Sequence, residues 1–263
     1  MRKIVCDTNV WYLIKSEPAY KPTNDKLILT ASNYFDWFAS NWMDPNHEKH
    51  KRLLASYRCA KENHSDKLII DPFDFAAIQI AEYEVKHHTT RSFNAAEKCL
   101  DEMLEYTYNT KQITNIRAAC ACSKLRFVTQ IKNNNSLFYE NCSDQIKSED
   151  SGKYKLKKDC IVNEIQKWIM KFPGFQEKGV ENIEWDKIDV FIKTYYKFVN
   201  NKPKSPKPNS MIDLLNFLYL IDEQFIYWSE EKEFLELVRQ SYGNEIPSFI
   251  YPDGKIVKQI FCN

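Results

Sequence analysis

No apolar run in this 263-residue chain approaches the ~20 consecutive residues that a membrane-spanning helix needs, so no helical membrane anchor is expected. An excess of either charge is also lacking. Lys plus Arg number 37 against 36 Asp plus Glu, so net charge by itself points to no polyanionic partner. Any nucleic-acid affinity has to come from a local patch. Paired cysteine spacing is missing too. Of eight cysteines, Cys120 and Cys122 are the nearest two, and neither a second pair nor a histidine accompanies them at zinc-site distance. They are expected as reduced, buried thiols. Arg2 and Lys3 precede an apolar run that Asp7 cuts short, too brief for a signal peptide. No internal repeat recurs at a fixed period. These absences predict a soluble, cytoplasmic protein without a membrane partner.

What the chain does have is core-forming material, at 43% hydrophobic and 14% aromatic residues. Its length suits one large domain, or a small domain with a substantial insertion. Ile4-Val5-Cys6 reads as a buried strand ending on Asp7-Thr8-Asn9, with an apolar helix or tight turn beginning at Val10. Pro18 and Pro22 mark a loop. Leu68-Ile69-Ile70 reads as a second strand, ended by Asp71-Pro72 with Pro in a first helical turn, and a long helix follows from Phe73. Helical spacing continues over 94–108, 113–131, 161–172 and 185–199. Met211 to Ile221 is apolar and helical, Gln224 to Tyr227 reads as a strand, and Lys232 to Gln240 as a helix. Short strands alternating with longer helices at both ends predict an α/β fold with a central parallel sheet. The helix-rich middle, 111–202, is expected as an insertion or cap on a core formed by 1–110 and 203–263.

Four acids follow or open apolar elements: Asp7 after the first strand, Glu82 in the helix after the second, Asp213 in a first helical turn, and Glu231 after the run Phe225 to Trp228. In open α/β sheets, sites form at the carboxyl ends of strands. Asp7 also has the residue type and position of a helix cap. Gathered carboxylates repel one another and become tolerable around a bound cation. Hard oxygen donors suit Mg²⁺ or Mn²⁺, which activate water for attack on phosphodiesters. Asn9 and Ser229 have the chemistry to orient such donors or a water. An aspartyl-phosphate mechanism needs a second Asp two residues after the first, and Asn9 stands there instead.

With these pieces in order, the chain resembles the PIN-domain, or PIN-like, ribonucleases. The resemblance rests on Ile4 to Val10, on Asn209 to Leu215, and on Ile226 to Phe234 with its Ser229-x-Glu231-x-x-Phe234 pattern. It implies a three-layer α/β/α fold and Mg²⁺- or Mn²⁺-dependent cleavage of single-stranded RNA. It implies as metal ligands and catalytic residues Asp7, Asp213, Glu231 and a helical Glu, either Glu82 or Glu84. The family usually has Asp where this chain has Glu231, and often a further Asp where it has Ser210. A catalytically weak or inactive PIN-like binding module is the alternative. An antitoxin-like protein regulator and an oligomeric state are left open. For RNA contacts, Lys197, Lys202, Lys204 and Lys207 interleave with Tyr195, Tyr196 and Phe198 just before Asp213. An amphipathic helix with buried aromatics, followed by a solvated linker, explains that stretch equally.

Overall fold

Four short strands pair side by side as one sheet, and every pairing is parallel. The computed structural model describes residues 1–68, 70, 72–81, 88–105, 111, 114–115, 118, 158–171, 175–176, 179–201 and 213–262. Strand β1 (Lys3–Cys6) lies at the centre. It pairs with β2 (Lys26–Thr30) on one side and β4 (Phe225–Trp228) on the other, while β3 (Asp66–Leu68) extends the β2 side. The order is therefore β3-β2-β1-β4.

Helices α1 (Thr8–Ser16), α2 (Ala31–Ala39), α3 (His50–Asn63), α4 (Pro72–Ala81) and α5 (His88–Glu105) accompany the first three strands. Two further helices, α6 (Lys158–Ile169) and α7 (Asp189–Asn201), come before β4, and α8 (Lys232–Tyr242) and α9 (Lys255–Phe261) follow it. A helical turn at 213–215 runs into a 3₁₀ segment, Asn216–Ile221.

Alternate strand residues divide the core in two, as the period of two requires. Ile4, Cys6, Leu27, Leu29 and Trp228 pack with Trp11 of α1, Trp37 of α2, Tyr57 of α3 and Leu100 of α5. Val5, Ile28, Phe225 and Tyr227 pack with Phe75 of α4, Phe217 of the 3₁₀ segment and Phe234 of α8. Both clusters run continuous with the sheet, so helical residues cover it on both faces, an arrangement compatible with three α/β/α layers. From the stretch expected as an insertion, Ile169, Phe191, Tyr195 and Phe198 belong to the second cluster. None of the helices searched is long and apolar enough to cross a membrane.

Two differences from the sequence reading have local causes. The apolar run Lys26 to Thr30 is a full strand that the reading left unassigned, because no loop residue separates it from the helix beginning at Ala31. The strand expected at Leu68 to Ile70 sits at Asp66–Leu68, where its register with Ile28 to Thr30 places it, and it is the third strand in sequence. Beyond β4, Tyr227 bridges to Ile250, with Tyr227 N–H donating to Phe249 O (2.7 Å) and Tyr251 N–H to Tyr227 O (2.8 Å). This covers the sheet edge, which would otherwise offer unpaired backbone groups.

Asn33, 1% exposed, ties the tips of β1 and β2 together. Its carbonyl accepts from Thr30 N–H (2.9 Å), and its amide donates to Cys6 O (2.9 Å) and Thr8 Oγ1 (3.2 Å). Replacing Asn33 by Ala strands buried groups on both strands. It is expected to lower unfolding free energy in urea titration by about 2–4 kcal/mol, whereas a loss below about 0.5 kcal/mol would show that the tips are aligned by something else.

Candidate functional site

The chain leaves β1, builds outward to β2 and β3, and then returns to the opposite side of β1 with β4. The topological switch is therefore at the carboxyl ends of β1 and β4, where parallel α/β sheets open a crevice. Asp7 occupies the β1 tip. Its N–H donates to Trp228 O (2.9 Å), extending the ladder one residue past Cys6 and setting Asp7 beside Ser229. The two carboxylate oxygens of Asp7 are used differently. Oδ1 accepts from Thr8 N–H (2.6 Å) and caps α1. Oδ2 accepts from Ser229 Oγ–H (3.0 Å) and from the Asn9 amide (3.3 Å). The cap and the site are thus the same residue.

Ser229 and Glu231 follow β4 directly. Ser229 Oγ, fully buried, accepts from Glu231 N–H (3.1 Å), and the Asn9 amide spans from Asp7 to Glu231 Oε2 (3.3 Å). The adjacent Glu230 has a different task. Its carboxylate accepts from Trp228 Nε1–H (2.6 Å) and from the N–H groups of Lys255 (2.9 Å) and Ile256 (2.8 Å), fastening α9 to the end of β4. Of the two neighbouring glutamates, Glu231 is the one joined to Asp7 through Asn9.

Asp213, 7% exposed, reaches Asp7 from the far end of the chain and shares a side-chain hydrogen bond with it. A fourth carboxylate completes the group, and the sequence reading missed it. Asp36 lies on α2, takes a hydrogen bond from Thr8, and feels the charges of the same neighbours. Its signal was weak: Asp36 lies inside the helix Ala31–Ala39 that follows the strand Lys26–Thr30, not at the strand tip as Asp7 does. Glu82 and Glu84 both lie outside the described residues, as do Lys202, Lys204 and Lys207. Lys197 is half-exposed on α7, but Tyr195 (0% exposed) and Phe198 (3%) are core residues. Base stacking on those two rings is closed off, because α7 turns them toward the sheet.

Burial dominates the electrostatics. It pushes Asp7 up to about 7, with the charges of Asp36 and Glu231 adding to it and the hydrogen bonds from Ser229 and Thr8 opposing. Burial likewise pushes Asp36 up to about 6, opposed by the Thr8 hydrogen bond and reinforced by Glu231. Asp213 lies well above the usual carboxylate range, first from burial and then from Asp7, Asp36 and Glu231. The Tyr227 phenol beneath them is raised by burial and by the charges of Asp7 and Asp213. The hydrogen bond between the Asp7 and Asp213 side chains needs a proton on one of the two, and a proton there eases their mutual repulsion. Among the described residues, no group of three or more His, Cys, Asp or Glu side chains converges closely enough to hold a metal ion. No family of known proteins, no curated protein and no solved structure matches this chain.

A carboxyl whose folded pKa is raised binds protons more tightly when folded, so its contribution to stability is complete below the unfolded value and is lost as pH rises through the folded one. For Asp7 that window runs from 3.8 to about 7. In chelator, Asp7→Asn keeps a cap acceptor and removes the charge. The variant is expected to gain stability relative to wild type across this window, by on the order of 1–3 kcal/mol at pH 8 in thermal or urea unfolding. A difference that stays flat with pH would mean that Asp7 is solvated.

Proposed function

We propose that this protein is a PIN-like, divalent-metal-dependent endoribonuclease that hydrolyses phosphodiester bonds of single-stranded RNA. The observation that carries the reading is the contact between Asp7 and Asp213, two carboxyls from opposite ends of the chain joined at a strand-end crevice, with Asp36 and Glu231 close enough to raise their proton affinity. Such a group is costly unless a cation joins it, and an all-oxygen donor set suits Mg²⁺ or Mn²⁺.

In this reading Asp7, Asp36, Asp213 and Glu231 hold the ion, and Asp36 takes the helical position assigned above to Glu82 or Glu84. A bound divalent ion supplies Lewis acidity toward a phosphodiester and lowers the pKa of water. The protein's own groups do the rest. Ser229 and Asn9 fix the Asp7 carboxylate at Oδ2, and Asn9 also steadies Glu231. Thr8 orients Asp36. A cation would bind the deprotonated carboxylates, and burial holds the proton on Asp7 up to about 7, so activity is expected to rise as pH increases through that value.

The alternative is a non-catalytic module, and one observation favours it: the described carboxylates do not close into a three-donor metal group. The two readings separate in one assay. Incubation of labelled single-stranded RNA with Mn²⁺ is expected to give cleavage by the wild type, and at least about a 100-fold loss in Asp7→Asn, Asp213→Asn and Asp36→Asn. Ser229→Ala is expected to lose about 10- to 100-fold. Equal cleavage by wild type and Asp7→Asn would place the activity elsewhere. Absence of cleavage, with no Mn²⁺-induced rise in melting temperature, would establish the non-catalytic module.

A further inference from the structure

A second set of side chains lies one helical turn from the carboxylates and plays no part in the chemistry described above. Tyr12 stands on α1 at helical spacing from Thr8 and Asn9, so it shares their side of the helix. Its ring meets Trp42, from the 3₁₀ turn Asn41–Met43, edge to face at 5.7 Å. Two cations lie on these rings. Arg52 at the start of α3 places its guanidinium 5.4 Å from the Tyr12 ring centre and 5.9 Å from that of Trp42, and Lys49 places its ammonium 5.1 Å from Trp42. The His47 ring stacks alongside Trp42 at 6.4 Å.

The two rings are partly buried, while Lys49, Lys51 and Arg52 are exposed. Among the described residues, no ion pair joins any of these three to a carboxylate. Glu48 is the exposed acid within this stretch, so the local balance is positive although the chain as a whole is nearly neutral. A guanidinium drawn in between two aromatic rings loses less freedom when it binds than one free in solvent. Its outer face can take an unpaired base and its N–H edge a phosphate. Lysines beside it suit the backbone of the same strand. The Tyr12 hydroxyl also feels the charge of Asp36, which places this platform beside the carboxylate crevice.

We infer that Tyr12, Trp42, Lys49 and Arg52 form a platform that binds single-stranded RNA and leads it into the Asp7–Asp213 crevice. The platform rests on the ribonuclease reading for its substrate, and it replaces the lysines before Asp213 as the main RNA contact. A stacked base contributes roughly 5- to 100-fold in affinity, and each phosphate contact contributes about 0.7 to the salt slope for single strands.

The test is fluorescence anisotropy of the full chain with a labelled 12-nucleotide oligouridine RNA, in EDTA so that binding is measured without cleavage. Arg52→Ala is expected to weaken binding about 5- to 10-fold, and Lys49→Ala with Arg52→Ala to lower the salt slope by about 1.4. Lys197→Ala is expected to have little effect. Arg52 is exposed, so its variants keep the fold even where Trp42→Ala does not. Three results would overturn the platform: no RNA binding by wild type, equal affinity for a duplex of the same length, or unchanged affinity and salt slope in the double variant. Platform-dependent binding without Mn²⁺-dependent cleavage would leave the platform standing and remove the ribonuclease reading.

Discussion

The pairing of the first strand with the last is the constraint on which the site depends. Cys6 stands opposite Trp228, and the next rung, Asp7 N–H to Trp228 O, sets a carboxylate beside Ser229. A slip of one residue would turn Asp7 to the other face of the sheet, because side chains alternate along a strand. The apolar cores on the two faces prevent that slip. Ile4 and Cys6 belong to one and Val5 to the other, so register and burial enforce each other.

The same pairing creates an electrostatic cost. Asp7, Asp36, Asp213 and Glu231 feel one another's charge at this end of the sheet, and burial raises the proton affinity of the first three. Local donors relieve part of it. Ser229 and Thr8 hold down Asp7, and Thr8 holds down Asp36. Asn33 acts one step further back, gripping Cys6 of β1, Thr8 of α1 and Thr30 of β2. Replacing such a buried polar group by well-packed apolar residues is often neutral or stabilising, so these carboxyls are not what holds the fold together.

The chemistry changes from anionic to cationic between Asp7, at the start of α1, and the Tyr12–Trp42 ring pair where Lys49 and Arg52 lie. Buried carboxyl groups gather at Asp7, Asp36 and Asp213, while Lys49 and Arg52 lie exposed beside aromatic rings. The near-zero net charge of the chain conceals this polarity, because the opposite charges are separated in space and not in number.

The sequence by itself determined the parallel α/β class, Asp7 at a strand tip, Asp213 in a helical turn and Ser229 with Glu231 after the last strand. These were legible because short apolar runs meet acids at their ends, a local pattern. Tertiary structure alone decided which acids assemble. Asp36 joins them because β2 lies beside β1, a pairing between segments with no local mark of it in the chain. Glu230 and Glu231 are adjacent and chemically alike, yet one fastens α9 and the other meets Asn9, according to which way β4 releases them. Tyr195 and Phe198 read in sequence as stackable rings beside lysines, and only the packing of α7 against the sheet turned them inward. Periodicity reveals which residues share an element, but the approach of one element to another depends on long-range contacts that no local window contains.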